Sequence, residues 1–172
     1  NHAEDQVIFC DPMFVPILEN IQDQLTITKH FIVLTSEEQM PESSLPGLLC
    51  YETLLAQETS DFDWPDLDER TPCSMCYTSG TTGNPKGVLY HHRSTILHTY
   101  AQAMPDVFGV SASDCILPIV PMFHVNAWGS IYVGPMTGTK IVLPGAKMGD
   151  GETLQHLIET EAITVSMGVP TV

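Results

Sequence analysis

Residues 77–88 read YTSGTTGNPKGV, from Tyr77 to Val88. Four hydroxyl residues, Thr78, Ser79, Thr81 and Thr82, surround Gly80, and Gly83, Pro85, Lys86 and Gly87 follow. A small, hydroxyl-rich turn with a single ammonium suits a polyphosphate: bare backbone amides and hydroxyls donate, and the lysine neutralises. A Gly/Ser/Thr-rich surface turn would have the same composition. The P-loop of the common NTPases needs Gly-Lys-Ser/Thr at a fixed offset, and Pro85-Lys86-Gly87 does not supply it.

Working outward, Pro72 to Tyr77 reads as the strand that enters this loop. Ser94, Ile96, Leu97, Tyr100, Ala101 and Met104 recur at helical spacing after it, and Pro105 stops the helix. Towards the N-terminus, Val7 to Cys10 is a short apolar run ending in Asp11-Pro12, a strand and a turn. Phe14, Ile17, Leu18 and Ile21 follow at helical spacing, and His30 to Leu34 is a second buried strand. This β-α-β order predicts a parallel pair with a right-handed crossover. Leu48, Leu49, Tyr51, Leu54 and Leu55 suggest a short helix around Tyr51. Glu58 to Arg70 holds six acids and one base and reads as an exposed connector.

Towards the C-terminus, Cys115 to Val120 reads as a buried strand. His124 to Met136 has helical character weakened by Gly129 and Gly134. Lys140 to Leu143 and Ile163 to Met167 read as strands, with an amphipathic helix from Thr153 to Ala162 between them. Strands alternating with helices predict an α/β fold, a layered parallel or mixed sheet flanked by helices.

The 172 residues suffice for one domain with a proper core. With 21 acids against 6 bases the net charge is −15, which argues against a nucleic-acid or anionic-membrane surface. The longest apolar run, Cys115 to Phe123, is too short to span a bilayer. Asn1 to Glu4 has no signal-peptide character, and the missing initiator Met suggests a start inside a longer protein. Five cysteines without framework spacing fit a reducing cytoplasm. Cys73 and Cys76 have redox-like spacing, but residues three apart in a strand face opposite sides. His91, His92 and His98 lack supporting ligands at metal-site spacing. Neither Ser79 nor Ser94 has the strand-elbow context of a hydrolase nucleophile.

YTSGTTGNPKG, continuous over the eleven residues Tyr77 to Gly87, resembles the signature of the adenylate-forming (ANL) superfamily: acyl-CoA synthetases, luciferases and peptide-synthetase adenylation domains. Pro121-Met122-Phe123-His124 is similar to the family's following motif, at the family's separation. Leu117 to Gly129, LPIVPMFHVNAWG, is most similar to the fatty-acyl-CoA synthetase branch. The resemblance implies a two-step reaction. A carboxylate attacks the α-phosphate of ATP to give an acyl-adenylate and pyrophosphate, and coenzyme A then displaces AMP. Charge building on the leaving pyrophosphate calls for donors and a cation.

The resemblance further implies that Ser79, Gly80, Thr81, Thr82 and Gly83 wrap the β- and γ-phosphates, with Lys86 at the loop's end. Thr78 is the candidate Mg²⁺ contact, few protein ligands being needed because Mg²⁺ keeps waters and phosphates. His124 is expected near the carboxylate and α-phosphate. Trp128, four residues on and so on the same face of a helix, and Val125 are expected to line the acyl pocket. A histidine after a buried strand, or a tryptophan on a helix, is also an ordinary core residue. Lys86 and His124 are thus the catalytic candidates, with ATP, Mg²⁺ and CoA as cofactor and co-substrates and a carboxylic acid, a fatty acid by the branch resemblance, as substrate.

Residues 1–172 would form part of the large N-terminal AMP-binding domain, with its start, the later adenine- and ribose-binding segments and the small C-terminal domain absent. These residues alone are then expected to be inactive. Two alternatives stay open: a ligase for another small carboxylate, aromatic or sulfur-containing, and a non-catalytic α/β nucleotide-binding module. A homodimer of the full-length protein is among the assembly states left open.

Overall fold

The structure, a computed structural model, describes residues 2–78, 83–122, 124, 127 and 129–168. The chain forms two compact units, Asn1–Pro65 and Asp66–Val172.

The first unit is a three-stranded parallel sheet in the order β1-β2-β3, built from β1 (Val7–Cys10), β2 (His30–Val33) and β3 (Leu48–Cys50). Parallel strands need a crossover. Helix α1 (Val15–Ile21) supplies it between β1 and β2, after a 3-10 turn at Pro12–Phe14 that begins where Asp11-Pro12 predicts a turn. The central strand is apolar on both faces, with Phe31, Ile32 and Val33 all buried. Cys10, Val15, Leu18, Phe31, Val33 and Leu45 close the core. Glu19 on α1 pins the loop before β3: its Oε1 accepts from Ser44 N at 2.7 Å and Ser43 Oγ at 2.8 Å. These donors, the Ser44 amide first, hold the Glu19 carboxyl below its ordinary range.

The helical reading of residues 48–55 is corrected at its start. Leu48 to Cys50 pair with Phe31 to Val33 as a strand, and only Tyr51–Leu55, α2, is helical. A long-range ladder here outweighs the local apolar spacing.

Among the described residues the second unit contains two sheets. One is an antiparallel hairpin of β4 (Pro72–Thr78) and β5 (Lys86–His91). The sequence periodicity places no strand after the glycine loop, so β5 is a further correction. The hairpin runs directly into α3 (His92–Ala103). The other sheet is parallel, in the order β7-β6-β8, from β6 (Cys115–Ile119), β7 (Lys140–Ile141) and β8 (Val165–Gly168). Helices α4 (Ser130–Thr137) and α5 (Gly151–Thr160) complete the connections. β6 is the buried centre, yet it contains Pro118. Its pairing with β7 covers only Cys115 and Ile116, so at Pro118 the ladder partner is β8 alone. A proline is tolerated at such an edge-like position.

Helix α4 lies within the span from His124 to Met136 that has helical character in the sequence, extending one residue past it. Gly134, read from sequence as a weakness, lies inside it for close packing: a Cβ there would meet Ile141 Cδ1 at 2.5 Å. α5 is capped by Asp150, which accepts from Thr153 N at 3.1 Å. Asp150 is thereby held below the ordinary aspartate range, the Thr153 hydroxyl contributing most.

Asp114 fastens the entry to β6. Its Oδ2 accepts from Ser111 Oγ at 2.7 Å and Ser111 N at 2.9 Å, and its Oδ1 from Thr164 Oγ1 at 2.8 Å. The Thr164 hydroxyl oxygen in turn accepts from Cys115 N at 3.0 Å, which joins β6 to the segment leading into β8. The Ser111 hydroxyl, then Thr164, lower the Asp114 pKa. A carboxyl lowered in the folded state stabilises it above the unfolded pKa and loses that effect as pH falls through the folded value. Asp114→Asn is therefore expected to lower the thermal midpoint at pH 7. The gap to the parent should close as pH falls from about 4, the unperturbed aspartate value, through the lowered pKa. Thermal unfolding of both proteins followed across pH checks this; a gap unchanged at acid pH contradicts it.

Candidate active site

The hairpin brings two of the sequence candidates face to face. The β4–β5 register pairs Thr78 with Lys86, Tyr77 with Gly87 and Cys76 with Val88. Thr78 Oγ1 lies 3.5 Å from the Lys86 carbonyl oxygen, a long and weak contact. Both side chains stand exposed at the open end of the ladder, where the hydroxyl-rich loop leaves β4 and returns into β5. Among the described residues Lys86 has no carboxylate partner, so its ammonium is available to an anion. Gly83 adopts φ +136°, backbone that a side chain would strain. Ser79, Gly80, Thr81 and Thr82 lie outside the described residues, as do Val125 and Trp128.

Gly87 serves the hairpin as well as the motif. A Cβ on it would stand 2.7 Å from Met75 Sδ, so the Met75 side chain crosses the strand over the glycine. The strands that flank the glycine-rich stretch pair antiparallel, whereas a P-loop leads from its strand into a helix.

His124 is presented differently. β6 ends at Ile119, Val120 is buried, and the chain then turns. His124 N donates to Pro121 O at 2.9 Å, and Ala127 N donates to His124 O at 2.9 Å. Ala127 is fully buried and Ser130 Oγ donates to its carbonyl at 2.6 Å. The backbone is thus bonded on both sides of His124 while its side chain is exposed. This position, just beyond the carboxyl end of a parallel strand, is where open α/β sheets bind ligands.

Sequence reasoning missed the join between the two candidates. His91, the last residue of β5, is the N-cap of α3: its Nδ1 accepts from Ser94 N at 3.0 Å, and His91 N donates to Ser94 Oγ at 3.2 Å. This reciprocal pair requires an acceptor at Nδ1, so the geometry assigns the ring proton to Nε2. The available signal was two hydrogen-bonding side chains three apart at the start of a helical pattern. The inward face of α3 is polar, with Thr95, Thr99 and Gln102 buried, and its other face exposes Ile96, Leu97, Tyr100 and Met104.

The sequence profile described as AMP-binding enzyme matches residues 1–172. The chain is 51% identical over its whole length to a 3-methylmercaptopropionyl-CoA ligase of Ruegeria lacuscaerulensis, of which it covers 32%. It is 50% identical to a medium-chain-fatty-acid–CoA ligase of Ectopseudomonas oleovorans, covering 31% of it. Both comparisons span 100% of this chain, which is thus about a third as long as these relatives. The fold matches the crystal structure of a long-chain-fatty-acid-CoA ligase (FadD1) from Archaeoglobus fulgidus with a TM-score of 0.82 at 23% identity, over 99% of this chain and 31% of that one.

Because the His91–Ser94 pair begins α3, His91→Ala is expected to lower the unfolding free energy by about 1 kcal/mol, the usual loss on removing an N-cap. Urea titration reads this directly, and an unchanged midpoint would show that the cap contributes nothing.

Proposed function

The chain belongs to the AMP-binding enzyme family, and from that premise we propose that it forms part of the large N-terminal domain of an AMP-forming acid–thiol ligase that activates a fatty acid. The observation that carries this reading is the Thr78–Lys86 pair at the mouth of the β4–β5 hairpin: a hydroxyl and an ammonium, with no carboxylate partner among the described residues, on either side of a Gly/Ser/Thr loop. That arrangement suits the triphosphate of ATP. Identity of 44–51% to ligases of medium-chain, long-chain and methylmercapto acids supports the acid–CoA assignment.

In this reading Ser79, Gly80, Thr81, Thr82 and Gly83 donate to the β- and γ-phosphates, and Lys86 neutralises charge as pyrophosphate leaves. His124, on the exposed turn after β6, stands by the carboxylate and α-phosphate, with Val125 and Trp128 lining the acyl side. The exposed Thr78 hydroxyl fits a single protein contact to Mg²⁺, which completes its shell with water and phosphate oxygens. When bound, the ion would supply further charge neutralisation at the phosphates. Coenzyme A is the acyl acceptor of the second step.

The outward face of α3 supports placing these residues within a larger domain. Ile96, Leu97, Tyr100 and Met104 are 50–59% exposed, whereas a surface helix ordinarily turns such residues inward. Among the described residues no helix is long and apolar enough to cross a membrane. The five cysteines have no framework spacing in the sequence, which supports a reducing, cytoplasmic setting. The identity to 3-methylmercaptopropionyl-CoA ligase favours a second reading, a short sulfur-containing carboxylate as substrate.

Pyrophosphate release by the full-length protein, with ATP, CoA and acids of graded chain length plus 3-methylmercaptopropionate, tests the reading. Turnover peaking with a fatty acid supports it, a peak with the thioether acid selects the second reading, and no release with any acid overturns both. In the same assay Lys86→Ala should slow adenylation by roughly 10- to 150-fold, because a charge-assisted contact contributes about 1.5–3 kcal/mol. An unchanged rate in the folded variant would remove Lys86 from the reaction.

A further inference from the structure

Helix α3 reaches from the hairpin to the His124 turn, and its buried side chains make contact at both ends. Near its start, Thr95 Oγ1 lies 3.6 Å from Cys73 Sγ, at the point where the β4–β5 register shifts. At its end Gln102 is 9% exposed, and its amide packs on the backbone of Gly129: a Cβ at Gly129 would stand 2.7 Å from Nε2 and 3.4 Å from Oε1. The other neighbours of Gln102 are largely apolar, among them Val110, Ile116 and Val133. Its Oε1 has no hydrogen-bond partner among the described residues, and the residue lines a cleft of about 10 Å³, room for about one water molecule. A leucine would fill such surroundings without burying an unpaired acceptor, so burial alone does not account for a glutamine here.

The Gly129 end of the contact leads to His124 through short backbone steps. Gly129 is the N-cap residue of α4, Ser130 Oγ donates to the carbonyl of Ala127, and Ala127 N donates to the carbonyl of His124. We infer that Gln102 is a positioning residue, which fixes the His124 turn by seating its amide against Gly129 and thereby ties the turn to the helix that begins at the phosphate-loop hairpin. The assignment rests on the adenylation reading of His124, while the Gln102–Gly129 contact stands independently of it.

The test is a double-mutant cycle in the full-length protein with Gly129→Ala, Gln102→Ala and both together. Amide exchange at Ala127, the donor to His124 O, reports the turn without reference to activity. Gly129→Ala should speed that exchange about tenfold, as expected for loosening a local unit. The double variant, in which shortening Gln102 makes room for the new methyl, should recover most of the protection. Pyrophosphate release should follow: kcat about tenfold lower in Gly129→Ala with the KM for ATP within about twofold, as for a misplaced catalytic group, and partly restored in the double variant. Exchange that is unaffected, or not rescued, overturns the proposal. Rescue of exchange with kcat unmoved in an active enzyme also overturns it. Rescue of exchange in a protein that adenylates no acid leaves the contact standing and sinks the adenylation reading instead. Should Gly129→Ala fail to fold alone, a double variant that folds with near-parental exchange supports the contact, and one that also fails overturns it.

Discussion

Everything the second unit offers a ligand depends on the register of the β4–β5 ladder. Thr78 faces Lys86 because Tyr77 faces Gly87 and Cys76 faces Val88. A one-residue slip would send each side chain of one strand to the opposite face. The hydroxyl and the ammonium would then no longer flank the loop together. Gly87 lies within this register, and the Met75 side chain crosses it where a Cβ would stand 2.7 Å from Met75 Sδ. At the far end of the ladder the register shifts between Pro72 and Ser74. The pairing of Pro72 with His91 is kept, and Cys73 Sγ comes within reach of Thr95 on α3.

Helix α3 inverts the usual distribution of polarity, and that inversion has a structural use. Thr95, Thr99 and Gln102 lie one or two turns apart on its buried side. Thr99 satisfies its own hydroxyl by donating to Thr95 O at 2.7 Å, so it can be buried without an outside partner. A polar inner face can hold both the hairpin and the backbone at Gly129, which an aliphatic stripe would contact with less geometric definition. The apolar residues are thereby left on the outer face, where nothing among these residues requires them.

Two buried central strands, β2 in one unit and β6 in the other, play equivalent roles. Each is apolar over most of its length and carries parallel neighbours on both sides. Parallel pairing gathers the carboxyl ends of the strands along one edge, and the turn bearing His124 emerges there. Asp114 fastens the opposite end of β6 through Ser111 and Thr164. The strand that presents the candidate histidine is therefore anchored before it begins and bonded again after it ends.

The sequence by itself determined the family signature, the α/β class and most of the strands. Val7–Cys10 is found where its apolar run and Asp11-Pro12 place it, and the strands at His30 and Cys115 differ from expectation by a residue at one end. Thr78, Gly83, Lys86 and His124 were legible as site candidates because the loop composition and its family resemblance are local properties of the chain. Only the tertiary structure decided that Leu48–Cys50 is a strand, that Lys86–His91 returns antiparallel to β4, and that Gln102 and Gly129 meet. Each of these depends on a partner distant in sequence: Phe31 to Val33 for the first, Pro72 to Thr78 for the second, and a residue 27 positions along the chain for the third. Hydrogen-bond ladders and close backbone packing repay residues far apart in the chain, and no local spacing of apolar side chains records them.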